Sequence, residues 1–120
     1  MSLARQLGLG AARIVIDPGH GGHDPGALGD GVSEAAVVLD VALRLETLLT
    51  TAGVDVVLTR RRDEFIPLDK RTAIATREQA DLFLSIHANA SRTRSARGVE
   101  TYVLNFASDS NAAAVAAREN

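Results

Sequence analysis

Ile14-Val-Ile-Asp-Pro-Gly-His-Gly-Gly-His-Asp-Pro-Gly-Ala-Leu-Gly29 is the stretch whose reading decides the fold. It opens with β-branched residues that are apolar on both faces, the pattern of a strand buried inside a parallel sheet. Asp17-Pro18 stops the run. A loop follows that carries His20, His23 and four glycines between positions 19 and 26. Glycine allows positive φ and close approach of a ligand. Neutral imidazole binds metals or moves protons. A strand that delivers such a loop presents polar groups at the C-terminal edge of a sheet, where open α/β folds bind ligands.

Two chemistries compete for the loop. A glycine-rich turn can cradle phosphate, but Gly19-His-Gly21-Gly-His-Asp24 carries Asp where the third glycine of the dinucleotide fingerprint belongs. Asp17 and Asp24 would also repel a pyrophosphate. The other chemistry is a metal site with His20 as first ligand, and the rest of the chain must supply its partners.

Composition narrows the choice. A chain of 120 residues with 46% hydrophobic content is enough for one compact domain. The net charge of −2 implies no general attraction to nucleic acid or membrane. There is no cysteine and there are three histidines, so any metal is held by His, Asp or Glu. No apolar run approaches a transmembrane segment, and no secretory signal peptide is visible after Met1.

Residues 1–12 read as a loosely held lead-in and 13–17 as the first strand. Ser33 is a plausible N-cap for a helix with Glu34 in its first turn. Val37, Val38, Val41, Leu45, Leu48 and Leu49 recur at helical spacing and predict its buried face. Ala52-Gly53 ends it. Residues 54–59 predict a second strand, and a crossover of this length implies parallel, right-handed pairing. Arg60, Arg61 and Arg62 read as a solvated turn. Pro67 opens a second helix to about Gln79, with Leu68, Ala73, Ile74 and Ala75 on its apolar side and Arg71 in an ion pair. Residues 81–86 predict a third strand, ending in His87-Ala-Asn89-Ala. A basic loop from 91 to 97 leads to a fourth strand at 99–104, and 109–119 look like the start of an Ala-rich helix. The fold class is therefore α/β, with a largely parallel central sheet flanked by helices.

His20, Glu34 and His87 are thereby expected at one edge of one sheet. Two imidazoles and a carboxylate, with one position left open, make a common catalytic zinc site. Zinc there lowers the pKa of bound water to about 7 and polarises a carbonyl. His23 competes with His20 as ligand, and Asp24 with Glu34. Asp17 or a backbone carbonyl is a candidate to orient an imidazole.

The residues also resemble a known family. The segment from Val15 to Gly26, Gly31-Val-Ser-Glu34 leading into a helix with Leu39, and Ser85-Ile-His-Ala-Asn-Ala90 are similar to the zinc-dependent N-acetylmuramoyl-L-alanine amidases of the amidase type 3 family. Val57-Leu-Thr-Arg60, Pro67-Leu68 with Arg71, and Arg97-Gly-Val-Glu-Thr-Tyr-Val-Leu104 extend the match, which runs from 13 to about 105. The resemblance implies that His20, Glu34 and His87 bind Zn2+. It further implies hydrolysis of the amide between N-acetylmuramic acid and L-alanine in peptidoglycan, in cell-wall remodelling or daughter-cell separation, in the periplasm or outside the cell. An activator protein is a candidate partner. Asp17, Asn89 and Arg71 are candidates to support the ligands or contact substrate.

The sequence also departs from the family. His23 stands where the family usually has Lys, and Ala35 where Lys is frequent. The family's catalytic glutamate lies on a late strand in a segment resembling Glu-x-Gly-Phe, and nothing before Asn120 matches it. Glu100 is the carboxylate inside a late matched motif and reads as structural. The expectation is a catalytic domain over 13–120 that lacks its final strands, able to bind zinc but weak or inactive as a catalyst. An expectation of another class is a non-catalytic peptidoglycan- or partner-binding module. Its structural metal would be closed by a fourth protein ligand, Asp24 or His23.

Overall fold

The computed structural model describes residues 13–91 and 93–103. The chain divides into two compact units, Met1–Ala90 and Ser91–Asn120. The first contains β1 (Arg13–Pro18), β2 (Leu28–Gly29), β3 (Val32–Ser33), α1 (Glu34–Thr51), β4 (Asp55–Leu58), α2 (Leu68–Arg77) and β5 (Leu82–Ile86). The lead-in at 1–12 and the Ala-rich helix at 109–119 lie outside the described residues.

β1 is the centre of a three-stranded parallel sheet in the order β4-β1-β5. The register pairs Ile16 with Leu58 on one side and with Leu84 on the other. Period-two alternation sends Ile14 and Ile16 to one face, where they pack with Ala42 of α1, Val54 and Leu58. Val15 and Asp17 point to the opposite face, where Arg71 of α2 reaches Asp17. Both faces of β1 are therefore buried, which is why it reads as an unbroken apolar run. Full burial of a side chain such as Ile16 contributes about 1.5–3 kcal/mol.

α1 begins as the sequence predicts. Ser33 is extended, and its Oγ accepts from the Ala36 N–H at 3.2 Å. Its end is a Schellman motif: the Gly53 N–H donates to Thr50 O and the Val54 N–H to Leu49 O, both at 3.0 Å, with Gly53 at φ 90°.

The buried face of α1 differs from the expected one. Ala35, Val38 and Ala42 are its buried apolar residues, with Leu45 and Leu49 partly covered, while Val37, Val41 and Leu48 are exposed. Alanines at 35 and 42 let the helix lie close on the sheet. A reading weighted toward large side chains rotated the contact stripe away from them. In α2, Ile74 and Ala75 are half-buried, whereas Leu68 and Ala73 are exposed.

Other boundaries shift by a residue or two. β4 and β5 are shorter than the predicted runs, and α2 stops at Arg77, two residues before Gln79, which adopts φ 54°. The expected fourth strand does not form over 99–103. Residues 99–103 carry no strand assignment, and Val99 is 96% exposed. Leu104 lies outside the described residues. The three-arginine turn is only partly solvated. Arg61 pairs with Glu46 and Arg62 with Glu64, but Arg60 is 1% exposed.

Candidate metal centre

Three segments end at the C-terminal edge of the sheet: the loop after β1, the first residue of α1 and the residue after β5. Each carries one member of the expected set.

His20 follows β1 with its backbone at φ 61°, a left-handed conformation that costs a non-glycine residue about 1–3 kcal/mol unless its surroundings hold it. The turn beyond it closes tightly, with Gly21 N–H donating to Asp24 O at 2.7 Å and Asp24 N–H to Gly21 O at 3.1 Å. This brings Asp24 back under the imidazole. His20 Nδ1 lies 2.8 Å from Asp24 Oδ2, while Asp24 Oδ1 accepts from the Gly26 N–H. The His20 interaction holds the Asp24 carboxyl below its ordinary pKa, against burial.

Beyond Gly26 the loop forms a small antiparallel hairpin, β2 with β3, whose Asp30-Gly31 turn has positive φ at both residues. The hairpin returns the chain to Ser33, and its base is fixed by Glu34 N–H to Ala27 O at 2.8 Å and Ala35 N–H to Pro25 O at 3.0 Å. Glu34 is thus locked at the helix start with a buried side chain. Burial would raise its pKa. The N–H groups of Ala27 and Ala88 and the two histidines outweigh that, and the net shift is downward. Glu34 is therefore an oriented carboxylate.

His87 immediately follows β5, and its ring meets that of His20 edge-on, with centroids 5.0 Å apart. Glu34 Oε2 stands between them, 3.1 Å from His20 Nε2 and 3.1 Å from His87 Nδ1. One ligand atom from each of the three residues falls within a 4.8 Å cluster.

The donor chemistry fits a metal ion. In the neutral tautomer His20 donates from Nδ1 to Asp24, which leaves the Nε2 lone pair facing a carboxylate oxygen. Two acceptors at 3.1 Å need a shared proton or a cation between them. The glycines agree. A Cβ at Gly26 would sit 2.7 Å from Glu34 Oε1 and 2.7 Å from His20 Cδ2, and one at Gly19 would strike the His87 ring. Side chains are excluded where the three groups converge.

The structure sorts the remaining candidates. Asp24 is not in the cluster; it meets His20 Nδ1, the position expected of Asp17 or a backbone carbonyl. Asp17 instead accepts from Thr59 Oγ1 (2.7 Å), Ser85 Oγ (2.9 Å) and Arg71 Nη1 (2.9 Å), and is buried. Its oxygens are taken up by those three groups, none of them an imidazole. His23 packs at a tilt against Phe65, with ring centroids 4.3 Å apart, and is exposed. Asn89 is exposed two residues beyond His87. Glu100 accepts a hydrogen bond from Tyr102 in the second unit. Sequence reasoning placed Arg60 in a solvated turn and in a matched segment and gave it no role at the site. Its signal was position, because a charged residue directly after a buried strand end at Leu58-Thr59 has little access to water.

The model of the N-acetylmuramoyl-L-alanine amidase family matches residues 14–119. The amidase LytC of Bacillus subtilis is 52% identical over 89 residues, covering 74% of this chain and 18% of that protein. Among solved structures, the amidase AmiC2 of Nostoc punctiforme superposes with a TM-score of 0.65 at 47% identity, over 68% of this chain and 46% of that one. The CwlD amidase of Clostridioides difficile, in complex with the GerS lipoprotein, gives 0.60 at 31% identity, over 68% and 50%. This chain thus spans no more than half the length of each of these relatives. On the match over residues 14–119, the chain belongs to the N-acetylmuramoyl-L-alanine amidase family.

Proposed function

We propose that this chain carries the zinc site of an enzyme that hydrolyses the amide between N-acetylmuramic acid and L-alanine in peptidoglycan. The observation that carries the reading is the Glu34 carboxylate oxygen shared at 3.1 Å by His20 and His87, in a chain of this family. His20, Glu34 and His87 are the ligands. Bound there, zinc would act as a Lewis acid on the scissile carbonyl and on the attacking water.

The chain's own residues prepare that chemistry. Asp24 takes the Nδ1 proton of His20 in a hydrogen bond and directs Nε2 toward Glu34. The N–H groups of Ala27 and Ala88 each donate at 3.0 Å to one Glu34 oxygen, holding the carboxylate ionised and in a fixed plane. Asp24 and His23, the two candidates for a closing fourth ligand, are engaged by His20 and Phe65. That favours an open coordination position, and with it catalysis rather than a structural metal.

The substrate places the reaction outside the cytoplasmic membrane, in cell-wall remodelling or daughter-cell separation. Among the described residues no helix is long and apolar enough to cross a membrane. The complex of the CwlD amidase with the GerS lipoprotein supports a protein partner here, of which an activator is one kind.

The test is mass spectrometry of purified peptidoglycan incubated with the zinc-loaded chain. Slow release of stem peptides with a free L-alanine amine, abolished by chelation and restored by zinc, is the expected result for a chain expected to be a weak catalyst. Peptidoglycan binding without release would favour the non-catalytic module. Cleavage in the glycan or within the stem peptide would contradict the proposal.

A further inference from the structure

Two arginines lie buried behind the metal-facing loop, and neither belongs to the ligand set. Arg60 is 1% exposed and Arg71 is 3% exposed. Between them they grip three consecutive carbonyls. Pro18 O accepts from Arg60 Nε at 3.0 Å and from Arg71 Nη1 at 2.9 Å. Gly19 O accepts from Arg60 Nη2 at 2.8 Å, and His20 O from Arg71 Nη2 at 2.9 Å.

Arg60 Nη1 and Arg71 Nε donate to Arg62 O and Ile66 O, and further bonds reach the segments that carry the other two ligands. Arg60 Nη2 also donates to Ala35 O at 3.0 Å, one residue after Glu34 in the first turn of α1. Arg71 Nη1 donates to Asp17 Oδ1, and the other oxygen of Asp17 accepts from Ser85 Oγ, two residues before His87. One guanidinium therefore spans the His20 loop and the Glu34 helix. The other, through Asp17, spans the same loop and the end of β5. Burying two cations beside a single directly bonded carboxylate is costly. A planar guanidinium with five donors is suited to hold several carbonyls at fixed angles, which a lysine ammonium is not. His20 also sits at φ 61°, a conformation that persists only where several contacts determine it.

We infer that Arg60 and Arg71 are positioning residues that set the spacing of His20, Glu34 and His87 for metal binding, by clamping the carbonyls of residues 18–20 to the helix start and the strand end. The inference rests on the ligand assignment proposed above.

Arg60→Lys and Arg71→Lys keep the charge and remove the fork. Three measurements apply to each: far-UV circular dichroism of the metal-free chain, zinc affinity by competition with a chromophoric chelator, and the visible absorption of the cobalt(II)-substituted chain. The expected result is a folded chain whose zinc affinity falls about 10- to 100-fold, the range for residues that orient metal ligands, with an altered cobalt spectrum. If Arg71→Lys does not fold, Asp17→Asn provides the same reading, because it keeps an oxygen for Arg71 while losing its charge, and Arg60→Gln, which keeps two donors, does so if Arg60→Lys does not fold. A smaller affinity loss in the same direction is expected there. Wild-type zinc affinity and cobalt spectrum in the folded variants, even with a lowered melting temperature, would overturn the clamp and leave the ligand set standing. A wild-type chain that binds neither ion would overturn the ligand set and the clamp with it.

Discussion

Asp24 Oδ2 lies 2.8 Å from Nδ1 of His20, across a turn of four residues, and this contact turns Nε2 of the same ring toward Glu34. A metal-ligating imidazole needs such a partner to fix its tautomer. Asp24→Ala leaves the ring free to rotate and removes the acceptor. Zinc affinity is expected to fall about 10- to 100-fold with the fold retained. Competition titration against a chelator checks this, and an unchanged affinity would show that Asp24 is dispensable.

Gly26 and Gly53 both have positive φ, 69° and 90°, but only Gly26 has the ligands as neighbours. Alanine at either position meets a backbone penalty of about 1–2 kcal/mol. Gly53→Ala adds its Cβ to open space, so it should lower stability and leave metal binding intact. Gly26→Ala drives its Cβ into His20 and Glu34 and should abolish metal binding as well. Urea denaturation combined with metal analysis separates the two effects.

The orientation of α1 on the sheet can be read from two valines. Val38 is 1% exposed and Val41 43%. Val38→Ala removes two buried carbons and should cost roughly 2 kcal/mol. Val41→Ala should stay within about 0.5 kcal/mol of wild type. Equal costs in denaturant melts would mean that the helix is rotated from the orientation described.

Much of the fold is legible in the sequence because β1 is buried on both faces and α1 carries strong end signals, Ser33 and Gly53. Those features depend on neighbours in the chain. The contact face of α1 is less legible. Small residues, Ala35 and Ala42, make the closest approach, and hydropathy patterns give more weight to Val37 and Leu48. The three convergent residues are found in the sequence by placing them at strand and helix ends. The contacts that support them are not, since Asp17 against Arg71 and Arg60 against the carbonyls of Pro18 and Gly19 join residues 41–54 positions apart. Residues 99–103 of the expected fourth strand are not in a strand, because alternation shows only that a segment could pair.

Arg61 forms a forked pair with Glu46, at 2.6 and 2.9 Å. Its hydrogen bond, joined by its charge, holds the Glu46 carboxyl below the ordinary value, against burial. A carboxyl depressed in the folded state contributes stability above its unfolded pKa, and loses it as pH falls through the folded value. Arg61 is exposed and Glu46 half-buried, so solvent screens the pair and the contribution is at most about 1 kcal/mol. Glu46→Gln should therefore melt slightly below wild type at pH 7. The two melting curves should converge in the acid range below about pH 4, where the unfolded glutamate also protonates. A gap that widens toward low pH would reverse the assigned sign.

The central claim is that His20, Glu34 and His87 hold one metal ion together. Elemental analysis of the zinc-supplemented chain, beside His20→Ala, Glu34→Ala and His87→Ala, tests it most directly. About one zinc per wild-type chain, lost in each variant while circular dichroism shows the fold intact, is the predicted result. A folded wild-type chain without zinc, or zinc retained at full stoichiometry by any of the three variants, would contradict it.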